Sequence, residues 1–288
     1  MPLPIISADQ RLAEHRGVKG CIFGKSGIGK TTLLKTLDPT TTLFFDLEAG
    51  DLAIGDWPVD TIRPQKWEEC RNFALFIGGY NPTHSDEQSY SKKRYDALYA
   101  QYGASEFLSK YDTIFIDSIT VAGRLCFQWC STQKDHIETS NGKIDTRKIY
   151  GLHGQEMITW LTHLQHTRNK NIWFVGILDE KFDDFNRRYY QPQIEGSKTG
   201  LELPGIVDQV ITLAELKGWE KDENGKDIEV PYRAFICHTL NPDHYPAKDR
   251  SGKLDCIEQP HLGELMEKIA GKVAPSSPTH PHTITQEK

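Results

Sequence analysis

An excess of basic charge is missing from this chain: 34 lysines and arginines face 40 aspartates and glutamates, a formal net charge of −6. That excludes a protein that grips nucleic acid through a bulk basic field and leaves any such contact to a local patch. No apolar run approaches the ~20 residues needed to span a bilayer. The opening Met1-Pro2-Leu3-Pro4-Ile5-Ile6 is too short and too uncharged for a signal peptide. None of the six cysteines forms a CxxC pair. Cys126 and Cys130 stand one helical turn apart with His136 beyond them, but closed zinc sites show tighter pairs. A reducing, cytoplasmic setting with free thiols is the expectation. No internal repeat is present. What is present is the composition of a globular chain large enough to bury a full core without staples.

Short apolar runs punctuate the sequence. Residues 18–23, 42–46 (Thr-Leu-Phe-Phe-Asp), 113–117 (Thr-Ile-Phe-Ile-Asp) and 171–178 read as buried strands. Residues 30–37, 67–77, 119–130, 154–168 and 261–269 carry helical spacing, and 80–103 is a polar, tyrosine-rich excursion with room for one helix. Strands alternating with helices imply a parallel sheet covered on both faces. Residues 207–213 and 230–237 are β-rich, with the charged stretch 220–229 and its Asn224-Gly225 as a hairpin connection. The Pro-, Ser- and Thr-rich stretch 273–288 reads as a disordered tail.

Gly24-Lys25-Ser26-Gly27-Ile28-Gly29-Lys30-Thr31 satisfies GxxxxGK[ST] in full, with a strand before it and a helix expected after it. Such a loop turns its backbone N–H groups inward on phosphate oxygens. The nucleotide-binding residues are therefore Gly24, Lys25, Ser26, Gly27, Ile28, Gly29, Lys30, Thr31 and the following Thr32. Lys30 reaches the β- and γ-phosphates and Thr31 ligates magnesium, so ATP and Mg2+ are the expected ligands. Asp117 closes an apolar strand and is followed by Ser118, the Walker B pattern for a magnesium-binding carboxylate, although Asp-Ser is also a helix N-cap pattern. Asp46-Leu47-Glu48 ends the strand after the P-loop helix. A sheet order placing that strand beside the P-loop strand would aim Glu48 at the γ-phosphate to polarise the attacking water, with Asp46 the next acid in line.

These three pieces together resemble the RecA-like ATPases, and more narrowly the phage-encoded Sak-type ATP-binding proteins linked to single-strand annealing and recombination. The resemblance runs over residues 18–269 and includes 150–157, 196–208 and Lys248-Asp249-Arg250-Ser251-Gly252. It implies an α/β RecA-like fold: a mostly parallel twisted sheet with helices on both faces and C-terminal antiparallel strands. The domain spans 18–272 after an extension at 1–17. It further implies a ring or filament with ATP between subunits, in which Lys248 and Arg250, and less strongly Lys198, supply cations to a neighbour's γ-phosphate. Where such proteins usually carry a polar γ-phosphate sensor, this chain has Ile177-Leu178-Asp179-Glu180.

Two segments are candidates for single-stranded DNA. One is 131–148, with Lys134, Lys143, Arg147 and Lys148. The other is 181–198, where Lys181, Arg187 and Arg188 interleave with Phe182, Phe185, Tyr189 and Tyr190, a pattern suited to phosphate pairing and base stacking. The alternative for the second is a hairpin whose aromatics pack on the core. The resulting expectation is a DNA-stimulated ATPase in the bacterial host cytoplasm, acting in annealing or strand exchange, with single-stranded DNA, further copies of itself and a single-strand-binding protein as partners. A helicase or packaging motor, a small-molecule phosphotransferase and a non-hydrolysing switch stay open beside it.

Overall fold

The computed structural model describes residues 5–272 apart from His15, Ala104, Ser140 and Asn224. The stretch read as a tail lies outside the described residues, as does the Asn224 half of the hairpin turn. In chain order the strands are β1 (Lys19–Gly24), β2 (Thr42–Asp46), β3 (Asp60–Ile62), β4 (Thr113–Asp117), β5 (Asn171–Phe182), β6 (Arg188–Pro192), β7 (Gln209–Lys221), β8 (Asp227–Ile236), β9 (Lys248–Asp249) and β10 (Ile257–Glu258). The helices are α1 (Ala8–Ala13), α2 (Trp67–Gly78), α3 (Lys92–Tyr102), α4 (Ile119–Cys130), α5 (Lys134–Ile137), α6 (Thr146–Gln165), α7 (Ser197–Ile206) and α8 (Leu262–Ala270).

The sheet runs β10-β8-β7-β1-β5-β4-β2-β3, with β6 attached to β5 and β9 to β7. The pairs from β7 through β1, β5, β4 and β2 to β3 are parallel, and β6, β8, β9 and β10 pair antiparallel. Period-two alternation explains why both faces are covered. Cys21, Phe23, Leu43, Phe45, Ile114, Ile116, Ile172 and Phe174 face one core with Trp67, Ile119, Met157 and Trp160 from α2, α4 and α6. The residues between them, Ile22, Phe44, Phe115, Trp173 and Val175, face a second core with Leu33, Leu34, Leu262 and Leu265.

Three expectations need correction. The helix after the P-loop is a short 3-10 helix, Thr31–Thr36, rather than an α-helix; Leu37 ends it and Asp38-Pro39 beyond keep it from continuing. The helix expected over 154–168 starts at Thr146, where Asp145 caps it by accepting from Arg147 N at 2.9 Å. The charged stretch 220–229 is a hairpin connection only over 222–226, because β7 and β8 stay paired out to Lys221 and Asp227. At the N-terminus α1 is closed by a Ser7–Gln10 capping box but buries no side chain of its own.

Candidate nucleotide site

The P-loop leaves β1 at its carboxyl end, where the chain departs for β2 while β5 and β7 flank β1. Open α/β sheets place ligands at such a crevice. Gly27 and Gly29 have φ of +78° and +97°, which side-chain-bearing residues avoid. Lys30 Nζ donates to the loop's own carbonyls, Gly24 O at 3.0 Å and Lys25 O at 2.9 Å. Partial burial lowers its pKa, opposed by Asp117 and Glu48, so the ammonium sits within the field of both acids.

β2 is not beside β1: β5 and β4 lie between them. Glu48 nevertheless reaches the site, through register. Asp46 pairs with Asp117, and Leu47 N donates to Asp117 O at 2.7 Å, extending the ladder one residue. That leaves Glu48 across from Ser118, whose Oγ donates to Glu48 Oε1 in a short hydrogen bond. The same Oγ accepts from Val121 N at 3.2 Å and caps α4. Asp117 is thereby free of the capping role, and its Oδ2 accepts from Thr31 Oγ1 at 2.5 Å. The Asp117–Ser118 peptide is cis.

Asp46 is a turn organiser. Its Oδ1 accepts from Glu48 N (3.2 Å) and Gly50 N (2.9 Å), and its side chain is fully buried against Arg63 Nε at 3.5 Å. Between those two amides Ala49 takes a left-handed conformation, φ 54°, which costs a non-glycine residue about 1–2 kcal/mol. Asp46 is thus tied up as loop scaffold, and Glu48 is the exposed acid.

Burial is the main cause that raises the Asp117 pKa to about 6; Thr31 and Lys30 oppose it and Glu48 and Asp46 add to it. A desolvated carboxylate crowded by two more acids, with a hydroxyl at 2.5 Å, suits a divalent cation. Thr31 and Asp117 are the residues that would hold Mg2+.

Other expected residues fall elsewhere. Glu180, rather than Asp179, reaches the loop, 3.6 Å from Lys25 Nζ. Lys248 donates to the Pro204 and Val207 carbonyls at 2.5 and 2.9 Å. Arg250 bonds Asp208 Oδ1 at 2.8 Å, an oxygen shared with Arg16. β9 pairs with Gln209 and Val210 at the start of β7, so Lys248 and Arg250 lie at the end of the sheet opposite the P-loop. A cavity of about 960 Å³ is also at that end, lined by the strand starts Thr42, Thr113, Asn171 and Gln209. Lys198 is exposed on α7, 3.9 Å from Glu202.

The DNA candidates divide. Tyr190 is buried and stacks on Tyr245, centroids 4.4 Å apart, so it is unavailable to a base. Arg187 pairs with Asp183 at 2.8 Å and Arg188 with Asp243 at 3.3 Å. Lys181 bonds Gln191 at 3.1 Å and Lys148 the Glu138 carbonyl at 2.7 Å. Phe182, Phe185 and Tyr189 stay exposed, as does Arg147. Sequence reading missed Arg233 on β8, whose Nη1 donates to the P-loop carbonyl of Ile28 at 3.1 Å; only strand register could have revealed it.

The sequence model of the AAA domain family matches residues 16–251, and the chain belongs to that family. It is an AAA-type P-loop ATPase domain, which binds and hydrolyses nucleotide. No curated protein matches the chain. No helix among the described residues is long and apolar enough to cross a membrane.

Proposed function

We propose that this is a magnesium-dependent, DNA-stimulated ATPase of the RecA-like type, acting on single-stranded DNA in annealing or strand exchange. The observation that carries the reading is the carboxylate at the tip of β2: Glu48, held by Ser118 beside Asp117, in the electrostatic reach of Lys30. Lys30 leaves the Gly24 and Lys25 carbonyls for the β- and γ-phosphates. Thr31 and Asp117 would hold magnesium, which would neutralise phosphate charge. Glu48 keeps one oxygen on Ser118 and orients water with the other, accepting its proton as attack proceeds. Self-assembly with ATP at subunit interfaces, and a single-strand-binding protein as partner, belong to the same proposal. So does a DNA surface drawn from Arg147 and the exposed side of the β5–β6 hairpin.

The test is ATP turnover with and without single-stranded oligonucleotide, run beside light scattering. Turnover that rises several-fold with single-stranded DNA, in an assembled species, supports the reading. Turnover indifferent to DNA removes the recombination role and leaves the ATPase.

A further inference from the structure

The nucleotide site has two unlike flanks. Across β5 from the P-loop strand lie Asp117 and Glu48; on the other side lie β7 and β8. The outer halves of β7 and β8 run on beyond the P-loop as a two-stranded ribbon, paired from Ala214 and Ala234 out to Lys221 and Asp227. Arg233 sits on this ribbon opposite Glu215. Besides its bond to Ile28 O, its Nη1 lies 2.2 Å from where a Cβ on Gly29 would stand. The guanidinium therefore rests against the backbone that precedes Lys30, on an exposed residue.

Alternation along the strands puts Arg233 on the face of Phe235, and Glu215, Lys217 and Trp219 on the face of Leu213. Phe235 and Leu213 share a core with Leu33 and Leu34 of the 3-10 helix after the P-loop. Arg233 and Trp219 thus project on the side where that helix lies. Trp219 is 68 % exposed, and its four-residue offset from Glu215 is about 13 Å along a strand. Cross-strand pairs Lys217–Glu229 (2.7 Å) and Lys221–Asp227 (3.1 Å) brace the ribbon around it.

Thr31 and Asp117 lie on one side of the P-loop only, which would set the direction of a bound nucleotide. A magnesium ion held by Thr31 and Asp117 would draw the terminal phosphates toward β4, and the α-phosphate, sugar and base would then extend toward β7 and β8. We propose that the β7–β8 ribbon is the nucleoside arm of the site, with Arg233 on the α-phosphate and the indole of Trp219 against the base. A guanidinium fork suits phosphate oxygens, and an unpartnered indole supplies a stacking face. On binding, Arg233 exchanges the Ile28 carbonyl for the phosphate. The proposal rests on nucleotide lying in the P-loop.

Calorimetry and tryptophan emission with Mg-ADP and Mg-pyrophosphate test it, with circular dichroism confirming each variant's fold. Trp219→Ala weakens ADP about tenfold and pyrophosphate less than twofold. ADP alters the wild-type emission, and Trp219→Phe removes that change. Arg233→Ala weakens ADP tenfold or more and shifts the preference between the two α-thio diastereomers of ADP. A residue that only props the Ile28 carbonyl would leave that preference where it was. Lys30→Ala loses both ligands; if it retains both, the P-loop assignment itself fails. If Lys30→Ala behaves as expected while either Trp219→Ala or Arg233→Ala binds ADP like wild type, the nucleoside arm is overturned.

Discussion

Lys30 is half-buried, bonded only to loop carbonyls, and contributes nothing to either apolar core. Lys30→Ala should therefore abolish nucleotide binding in calorimetry and leave the circular dichroism spectrum and melting temperature as they are. Glu48→Gln keeps the shape and the Ser118 contact but loses the charge. It should bind ATP normally and turn it over at least about a hundredfold more slowly. Near-wild-type turnover would take the catalytic role away from Glu48, and the structure leaves Asp46 a poor successor, since its Oδ1 already accepts two backbone amides. A third residue governs acid stability. His163 stacks on Tyr90, centroids 3.9 Å apart, and burial lowers its pKa from 6.5 to about 4. The unfolded chain then takes up the proton first as pH falls from 6.5 toward 4, so stability is whole above that window and drains away within it. His153, lowered by burial too, acts in the same sense. His163→Phe should show a smaller loss of urea midpoint between pH 7.5 and pH 5 than the wild type.

At the scale of elements, the β5–β6 hairpin is where sequence and structure diverge most usefully. Strands β2 and β4 and helix α4 were legible to the residue, because both faces of those strands are buried and Ser118 caps the helix. β5 was not: its last four residues, Asp179 to Phe182, are polar or exposed and are strand only because β6 pairs with them. No local pattern encodes a partner. The same holds within the site. Lys30, Thr31, Asp117 and Glu48 lie in contiguous motifs, whereas Arg233 reaches the P-loop 205 residues away in sequence. Within the hairpin the two tyrosines should now separate. Tyr190→Ala empties a stacked core position and should cost about 3 kcal/mol of stability; Tyr189→Ala, on the exposed side, should cost little. If the hairpin touches a single strand, Arg187→Ala with Arg188→Ala should lower the log–log salt slope of oligonucleotide binding by roughly 0.7 per lost phosphate contact. An unchanged affinity and slope would assign both arginines to Asp183 and Asp243 alone.

For the whole molecule, the placement of Lys248 and Arg250 decides what assembly can do. Neither can reach its own P-loop, since β9 pairs with the opposite end of the sheet. To serve a neighbour, Arg250 must release Asp208, which retains Arg16 as a partner. Arg250→Ala should then impair ATP turnover without lowering monomer stability much. Mixing it with Lys30→Ala should recover part of the activity, because one kind of junction unites an intact P-loop with an intact arginine. No recovery in a mixture shown by light scattering to co-assemble would confine Arg250 to holding Asp208. The opposed poles have a further consequence for symmetry. A two-fold dimer could join one copy's arginine pole to the other's phosphate pole only by packing the two copies antiparallel, and the contact would then occur twice and close at two copies. A heterologous contact would instead use each pole once per neighbour and repeat head to tail. Whether the chain closes on itself or grows without end is then a matter of the rotation between neighbours, and a few degrees at that one junction separate a ring from a fibre.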